Sequence, residues 1–218
     1  MAKPQESLPR TVPRAVGRPK AEEGRDTRAD LLRVAGELFA AKGYAATSVN
    51  EVGAGAGVSV PVIYQRFGNK AGLFVAVAED VYGRALPQMR AAVAEATTFN
   101  AAVDGVLREF ATMYDVDPNL GSMVVTVLVE AARDEELNRG LQPSLRSLRE
   151  LCDHIADLAP TQLAPDVAAR RDLSRAIVSL FSGIMISSAL LHRQPDYEGM
   201  VAATRHLLAF RPALESQQ

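Results

Sequence analysis

Residues 44–73 read YAATSVNEVGAGAGVSVPVIYQRFGNKAGL and contain two short helical patterns joined by a tight Ala-Gly-Val-Ser turn. The aromatic residues Tyr64 and Phe67 follow that turn, and Lys70 stands at the start of the next helical pattern. This layout is typical of a helix-turn-helix, in which groups at both ends of the second helix can hold DNA phosphates. The stretch therefore predicts a DNA-binding unit near the N-terminus.

Helical periodicity continues on both sides of this stretch. Thr27, with Asp30 three residues later, resembles a capping box, and apolar residues then recur at helical spacing up to a stop at Gly43. Helix one is therefore predicted over roughly residues 27–42. The predicted N-caps of helices two, three and four are Thr47, Ser59 and Asn69.

Longer helical patterns occupy the rest of the chain, near residues 100–114, 119–131, 135–158, 166–193 and 196–210. Pro87 is expected to kink or interrupt helix four. Pro143 leaves open a later start for its helix, with the proline in the first turn. The sequence has no strand-period segment and no internal repeat, so the chain is predicted to be all-α.

Charge is distributed unevenly along the chain. The 218 residues carry a net charge of −2, but residues 1–70 hold 11 Lys/Arg against 7 Asp/Glu, whereas the remainder holds 13 against 19. A basic N-terminal part and an acidic C-terminal part indicate that only the former meets a polyanion. Chance segregation of surface charge is the alternative.

Residues 1–24 combine dense proline and glycine with interspersed basic residues and have no periodic apolar positions. They are predicted to form a flexible basic arm. Within the arm, Gly17-Arg18-Pro19 resembles the AT-hook, an extended segment whose arginine, here Arg18, enters a narrow A·T-rich minor groove. A tail that only adds solubility is the alternative.

Several classes of protein are disfavoured by the sequence. The single cysteine, Cys152, cannot form an intrachain disulfide, which agrees with a reducing cytoplasm. There is no signal-peptide core, and the longest nearly apolar run, residues 179–191, is shorter than the ~20 residues of a membrane span. The histidines lack partners at metal spacing, and no nucleophile elbow or phosphate loop occurs. We expect a cytoplasmic protein that is not an enzyme and needs no cofactor or metal.

The helix-turn-helix block resembles the DNA-binding domain of the tetracycline-repressor (TetR/AcrR) family of bacterial regulators. The match runs in register without gaps at the N-terminal end, where that family carries this domain. The remaining helices are similar to those of the family in number and length. The matching positions are Leu31-Leu32, Ala35, Leu38-Phe39, Gly43-Tyr44, Thr47-Ser48, Ala56-Gly57-Val58-Ser59, Ile63-Tyr64, Phe67, Lys70 and Leu73.

The resemblance implies an all-α homodimer with two domains in each chain. A three-helix DNA-binding head would occupy residues 25–72, and a helical ligand-binding and dimerisation domain would occupy residues 73–218. Members are mostly repressors that a small molecule releases from a palindromic operator. The implied partners are double-stranded DNA and a small-molecule effector, with no membrane partner. Control by a protein partner without a small-molecule effector is the alternative.

Two sorts of DNA contact are predicted at the head. Phosphates are expected at the start of helix two, where backbone N–H groups and a hydroxyl converge, and at Tyr64 and Lys70. For Tyr64, packing as a partly buried aromatic is the alternative.

Bases are expected to be read from the start of helix three and by Gln65, which can pair bidentately with adenine. Val60 departs from the polar or basic residue usual in the family and offers only methyl groups. The complete set is Arg18, Thr47, Ser48, Ser59, Val60, Pro61, Tyr64, Gln65 and Lys70.

Methionine and aromatic residues recur on the helices between the head and the C-terminus. Such side chains suit an adaptable cavity for a hydrophobic or aromatic ligand, and core packing is the alternative for each. The predicted ligand-binding residues are Tyr82, Phe110, Met113, Tyr114, Met123, Val127, Phe181 and Met185.

An apolar stripe near the C-terminus predicts helices of a four-helix bundle shared by two chains, with an ordinary intrachain core as the alternative. The stripe consists of Leu173, Ile177, Leu180, Phe181, Ile184, Ser188 and Leu191, joined on the last helix by Met200, Thr204, Leu207 and Leu208.

Overall fold

A computed structural model of the chain describes residues 27–117, 119–191 and 193–209. Those residues form nine α-helices and no strand, which confirms the all-α prediction. The predicted arm, residues 1–24 with Arg18, lies outside the described residues. The helices are α1 (Thr27–Ala46), α2 (Val49–Ala56), α3 (Val60–Phe67), α4 (Lys70–Val93), α5 (Phe99–Val116), α6 (Leu120–Arg133), α7 (Glu135–Asp157), α8 (Val167–Leu190) and α9 (Gln194–Ala209).

The corner between α1 and α2 differs from the prediction by one residue. Ser48, not Thr47, is the N-cap of α2: its hydroxyl oxygen accepts from the Glu51 N–H at 3.2 Å, and the Glu51 carboxylate accepts from the Ser48 N–H at 3.0 Å. Thr47 is only 2% exposed, and its hydroxyl donates to the carbonyls of Leu38 (3.1 Å) and Gly43 (2.9 Å). The Thr47 side chain therefore closes the corner where α1 bends at positive-φ Gly43, and it does not face a phosphate.

Asn69 caps α4 as predicted, because its side-chain oxygen accepts from the Gly72 N–H at 2.7 Å. By contrast, α4 continues through Pro87 without interruption, and α7 begins at Glu135 and runs through Pro143. A proline inside a helix leaves one carbonyl without its helical partner. Both prolines are exposed and border the same cleft between α4 and α7, where water can bond that carbonyl.

Helices α1–α3 form a small head, and α4 connects it to a larger body of α5–α9. In the head, α1 and α3 pack against α4, which also packs against α5 and α7 of the body. Helix α6 also reaches the head, because it packs against α1 as well as against α7 and α8. The buried core of the described residues is continuous from head to body. The predicted domain boundary at residues 72/73 falls inside α4 and stays a prediction.

The apolar stripe of α8 faces the protein's own core. Ile177, Phe181, Ile184 and Ser188 are each at most 4% exposed, and α8 packs against α6 and α7. The alternative, an intrachain core, therefore applies to these four residues, whereas Leu207 and Leu208 of the predicted stripe are 76% and 45% exposed on α9, and the dimer stays a prediction. With a mean hydropathy of 1.6 over its most apolar window, α8 passes a composition test for membrane spans that core helices of soluble proteins also pass.

The close crossing of α6 and α8 depends on Gly121. A Cβ atom at this position would lie 1.8 Å from the Ser188 hydroxyl oxygen and 2.6 Å from the Met185 carbonyl oxygen. A side-chain hydroxyl can rotate away, but the backbone carbonyl cannot. Any side chain at Gly121 therefore forces the two helices apart.

We expect Gly121→Ala to destabilise the fold by about 1–3 kcal/mol, because it overpacks a close helix crossing. Gly83→Ala is the matched control: Gly83 is an exposed glycine inside α4, and a Cβ there would meet nothing within 4 Å. Alanine favours a helix over glycine, so the control is expected to gain up to ~1 kcal/mol. Urea unfolding measures the free energies of unfolding, and a Gly121→Ala protein as stable as the control would contradict the close crossing.

Candidate DNA interface and ligand cavity

The recognition helix α3 has one buried and one exposed side. Ile63 is fully buried and Phe67 is half-buried, and both pack on the core of the head. Pro61 and Gln65, four residues apart, are exposed on the same side, and Tyr64 is 47% exposed. Three of the predicted contacts therefore lie on the open side of one short helix.

The two residues that begin α3 have different surroundings. Ser59 is the exposed N-cap, and its side chain makes no capping bond, so its hydroxyl is available to a base or phosphate. Val60 is half-buried, and one of its methyl groups would lie 3.7 Å from a Cβ placed on Gly53 of α2. Val60 therefore helps to hold α2 and α3 together, and only part of its surface can meet a thymine methyl group.

The N-terminus of α2, a predicted phosphate site, already holds a carboxylate. Glu51 accepts from Lys42 Nζ at 2.7 Å, and from the N–H and hydroxyl of Ser48 at 3.0 Å each. The hydrogen bond from Lys42 is the largest of the causes that lower the pKa of Glu51 to about 2. The carboxylate is therefore ionised at neutral pH, and a phosphate that binds at Ser48 lies beside the Glu51–Lys42 pair.

Lys70 ties the start of α4 to the end of α1. Its ammonium donates to the Ala45 carbonyl at 3.1 Å and lies 4.5 Å from the centre of the Tyr44 ring. Partial burial lowers the pKa of Lys70, and the charge of Glu130 opposes that shift. Because the ammonium already has these partners, its predicted phosphate contact stays a prediction and would add to a structural role.

Acidic residues at the corner between α6 and α7 lie against the DNA-side end of α4. Glu136 accepts a hydrogen bond of 3.4 Å from Asn69. Burial raises the pKa of Tyr44, with smaller contributions in the same direction from Asp134, Glu136 and Glu130. The start of α7 therefore contacts the DNA-side end of α4, in addition to the packing of α6 against α1. Contacts between the head and the body are thus not confined to α4.

An apolar cavity of about 40 Å³ lies inside the body, between α4, α5, α6, α7 and α8. Four of the predicted ligand-binding residues line it, namely Tyr82, Phe110, Phe181 and Met185. The remaining wall consists of Val81, Ala85, Leu86, Met89, Leu120, Val124, Leu148 and Ser182.

The other four predicted ligand residues lie outside the wall of this cavity. Tyr114 stacks on Tyr197 at 4.6 Å and donates to the Leu191 carbonyl at 2.7 Å, so it holds α9 against α5. Val127 is fully buried in the core. Met113 and Met123 line two more open depressions on the outer side of Val81 and Leu120. Core packing, the alternative noted for these residues, therefore describes Tyr114 and Val127.

The largest of these depressions is a groove of about 490 Å³ where the head meets the body. It lies between α1, α4 and α6, and its rim carries charged residues that include Arg33, Glu37 and Arg84. Val81 and Leu120 line both the groove and the inner cavity. These two side chains therefore separate a solvent-filled groove from an apolar cavity.

Comparison with known proteins identifies the head. A model of the family "Bacterial regulatory proteins, tetR family" matches residues 31–77. The head is therefore a DNA-binding domain of the TetR family. Over 52 residues it is 44% identical to the HTH-type transcriptional activator FasR of Mycolicibacterium smegmatis, a match that spans 24% of each chain.

Solved TetR-like structures share the fold over most of the chain. The transcriptional regulator FadR from Bacillus subtilis, in complex with stearoyl-CoA, superposes with a TM-score of 0.68 at 19% identity and covers 83% of this chain and 96% of its own. FadR from Bacillus halodurans, a fatty acid degradation regulator, superposes with a TM-score of 0.70 at 19% identity, covering 89% and 99%. The body therefore has the same fold as these structures, despite little sequence similarity.

Sequence reasoning missed residues at both sites. At the head it missed the Lys42–Glu51 pair, which joins residues nine positions apart and so follows no helical spacing. In the cavity it missed Leu86 and Met89, although they follow Tyr82 at the helical spacings of four and seven residues. Extending the stripe of α4 beyond Tyr82 would have found these two.

We expect Gln65→Ala to lose discrimination at one base pair, by about 1–3 kcal/mol, because a bidentate amide contact disappears. Tyr64→Phe keeps the ring and removes the hydroxyl, so it is expected to weaken binding to all duplexes alike. Fluorescence anisotropy on a duplex selected from a random pool, and on unselected DNA, separates the two effects. Gln88→Ala, an exposed glutamine on α4, is the matched control. Equal losses of Gln65→Ala on both duplexes would refute its role in base reading.

Proposed function

We propose that this TetR-family regulator is a ligand-responsive repressor, which binds a two-fold symmetric operator as a dimer and leaves it when an apolar small molecule occupies the body. The observation that carries the proposal is that α4 and α6 both line the apolar cavity and both contact the head. A change in the cavity can therefore reach α1 and α3 by two helices.

The coupling follows from how the cavity is built. Tyr82 and Met89 come from α4, and Leu120 and Val124 come from α6. A cavity of about 40 Å³ has room for little more than one water molecule, whose share of liquid volume is about 30 Å³. A larger ligand must therefore push these helices apart. Since both helices support the head, the separation of the two heads in a dimer would change with them.

The effector class we propose is an acyl compound. The cavity wall is almost wholly apolar, and Met89 and Met185 are flexible side chains that can make room for an alkyl chain. The FadR structure from Bacillus subtilis contains stearoyl-CoA, which is an acyl compound of this kind. The similarity of the fold supports the same class of ligand for this chain.

The proposed dimer surface is the outer face of α8, opposite the stripe that is buried in the chain's own core. Exposed residues recur there with alternating spacings of three and four, which is the pattern of a helix that packs against another helix. Small residues at the N-terminal end of the face allow a close approach, and apolar residues follow. The face consists of Ala176, Ser179, Gly183, Ile186 and Leu190.

We expect Ile186→Glu to shift the protein from dimer to monomer and to weaken operator binding, because a charge at the centre of the α8 face opposes pairing. Val129→Glu is the matched control, since Val129 is a β-branched residue of similar exposure on α6 (38% against 42% for Ile186). Light scattering at micromolar concentration measures the mass. A wild-type monomer, or an Ile186→Glu dimer as stable as the control, would contradict this surface.

For ligand control, we expect palmitoyl-CoA to weaken binding to the selected operator by about 5–150-fold, the range of typical coupling free energies. Free coenzyme A, which lacks the acyl chain, is the control and is expected to have no effect. Operator affinity is measured with and without each compound, and calorimetry measures ligand binding separately. Palmitoyl-CoA that binds without any change in operator affinity would disprove the ligand control and favour regulation by a protein partner.

A further inference from the structure

Two buried phenol hydroxyls, those of Tyr82 and Tyr197, lack a hydrogen-bond partner among the residues that the structure describes. Their surroundings differ. Tyr197 packs against Tyr114 between α5 and α9, whereas Tyr82 is part of the wall of the apolar cavity. Tyr82 is 5% exposed, so solvent does not replace the missing partner.

We propose that the Tyr82 hydroxyl is the polar anchor of the effector and donates a hydrogen bond to the carbonyl oxygen of an acyl chain. This inference rests on the proposed function, because it names a contact for the ligand of the same cavity. The alkyl tail would occupy the apolar space beside Met89, Phe110 and Met185.

The anchor role follows from what Tyr82 lacks in the free protein. A buried hydroxyl without a partner destabilises the fold, and such groups are rare. The apolar side chains beside it, such as Leu86 and Phe110, offer no acceptor. Burial raises the pKa of Tyr82 to about 12, so the phenol keeps its proton at neutral pH and can donate. An acyl carbonyl is an acceptor without a net charge, and burying it costs less than burying a carboxylate.

The position of Tyr82 also indicates how the ligand would lie. Tyr82 and Leu86 line both the inner cavity and an open cleft of about 320 Å³ between α4 and α7. A carbonyl at Tyr82 therefore leaves the remainder of the molecule in that cleft. Arg90 lines that cleft, where its guanidinium donates to the Ser147 carbonyl at 2.9 Å and to Glu150 at 3.4 Å, and an anionic headgroup would share this cation with Glu150.

The acyl thioester and the free fatty acid both present an acceptor oxygen at the end of an alkyl tail, and only the fatty acid carries a charge there, so the test includes both palmitoyl-CoA and sodium palmitate. S-Hexadecyl-CoA, a thioether with the same tail and headgroup but no carbonyl, isolates the contribution of the carbonyl. Calorimetry with the full-length protein gives the affinity for each compound. The same samples are then tested for release of the selected operator.

We expect Tyr82→Phe to weaken binding of palmitoyl-CoA by about five- to tenfold, the effect of one lost hydrogen bond, and to leave the affinity for S-hexadecyl-CoA unchanged. Tyr197→Phe is the matched control, because it removes the other unpartnered buried hydroxyl and is expected to change neither affinity. Thermal unfolding without ligand shows whether each variant is folded, and both are expected to be at least as stable as the wild type.

The outcomes separate this inference from the proposed function. If palmitoyl-CoA releases the operator but Tyr82→Phe binds it as tightly as the wild type does, the anchor is overturned and ligand control remains. An equal loss for palmitoyl-CoA and S-hexadecyl-CoA also overturns the anchor, because the carbonyl then plays no part. If neither palmitoyl-CoA nor palmitate binds the wild type, the acyl class and the anchor both fail. If Tyr82→Phe weakens the binding of palmitoyl-CoA as expected, but palmitoyl-CoA does not release the operator, the anchor is supported and ligand control is refuted.

Discussion

The DNA-side surface and the apolar cavity both depend on the contact between α1 and the start of α4. This contact, which we call the clamp, is formed by Phe39 and Tyr44 of α1 and by Lys70 and Phe74 of α4. Phe74 of α4 lies edge-on to Phe39 and Tyr44 of α1, with ring centres 5.0 Å apart in each pair. Lys70 adds its contacts with the Tyr44 ring and the Ala45 carbonyl. Aromatic pairs of this geometry are favourable beyond the area that they bury. The clamp makes the start of α4 part of the head, while the same helix carries Tyr82 into the body three turns later.

Structural contacts also occupy several residues that the sequence predicts to bind DNA. Glu51 joins α2 to α1 and Lys70 joins α4 to α1, and both lie where the sequence predicts phosphate contacts. Thr47 is wholly committed to the corner between α1 and α2. Among the predicted contacts that the structure describes, the N-cap Ser59 and the open side of α3, with Gln65 and Tyr64, are exposed without a comparable structural role. The predicted discrimination between bases therefore rests on few side chains.

Most of the fold was predictable because its signals are local. Helix periodicity, the Asn69 cap and the Gly43 bend are each decided by a few neighbouring residues. Thr47 and Ser48 show the limit of local signals, because either hydroxyl can cap a helix. The packing of Thr47 against α1 leaves Ser48 as the N-cap of α2.

Helix α8 shows the same limit on a larger scale. Its residues recur at helical spacing on two opposite faces, and sequence alone does not distinguish the buried face at Phe181 from the exposed face at Ile186. The cavity exists because the side chains of five helices leave space between them unfilled. Only the packed structure shows this, so half of the predicted ligand residues proved to lie elsewhere.

The small size of the cavity has a thermodynamic consequence for the proposed regulation. A cavity of about 40 Å³ cannot hold a fatty acyl chain, so the described conformation and an acyl-bound one must differ in the spacing of α4, α6 and α8. A ligand shifts this equilibrium only by its difference in affinity for the two conformations. Because α4 and α6 both support the head, operator DNA also distinguishes the two conformations. Coupling between binding sites is reciprocal, so operator DNA should lower the affinity for the acyl ligand by the same factor as the ligand lowers the affinity for the operator.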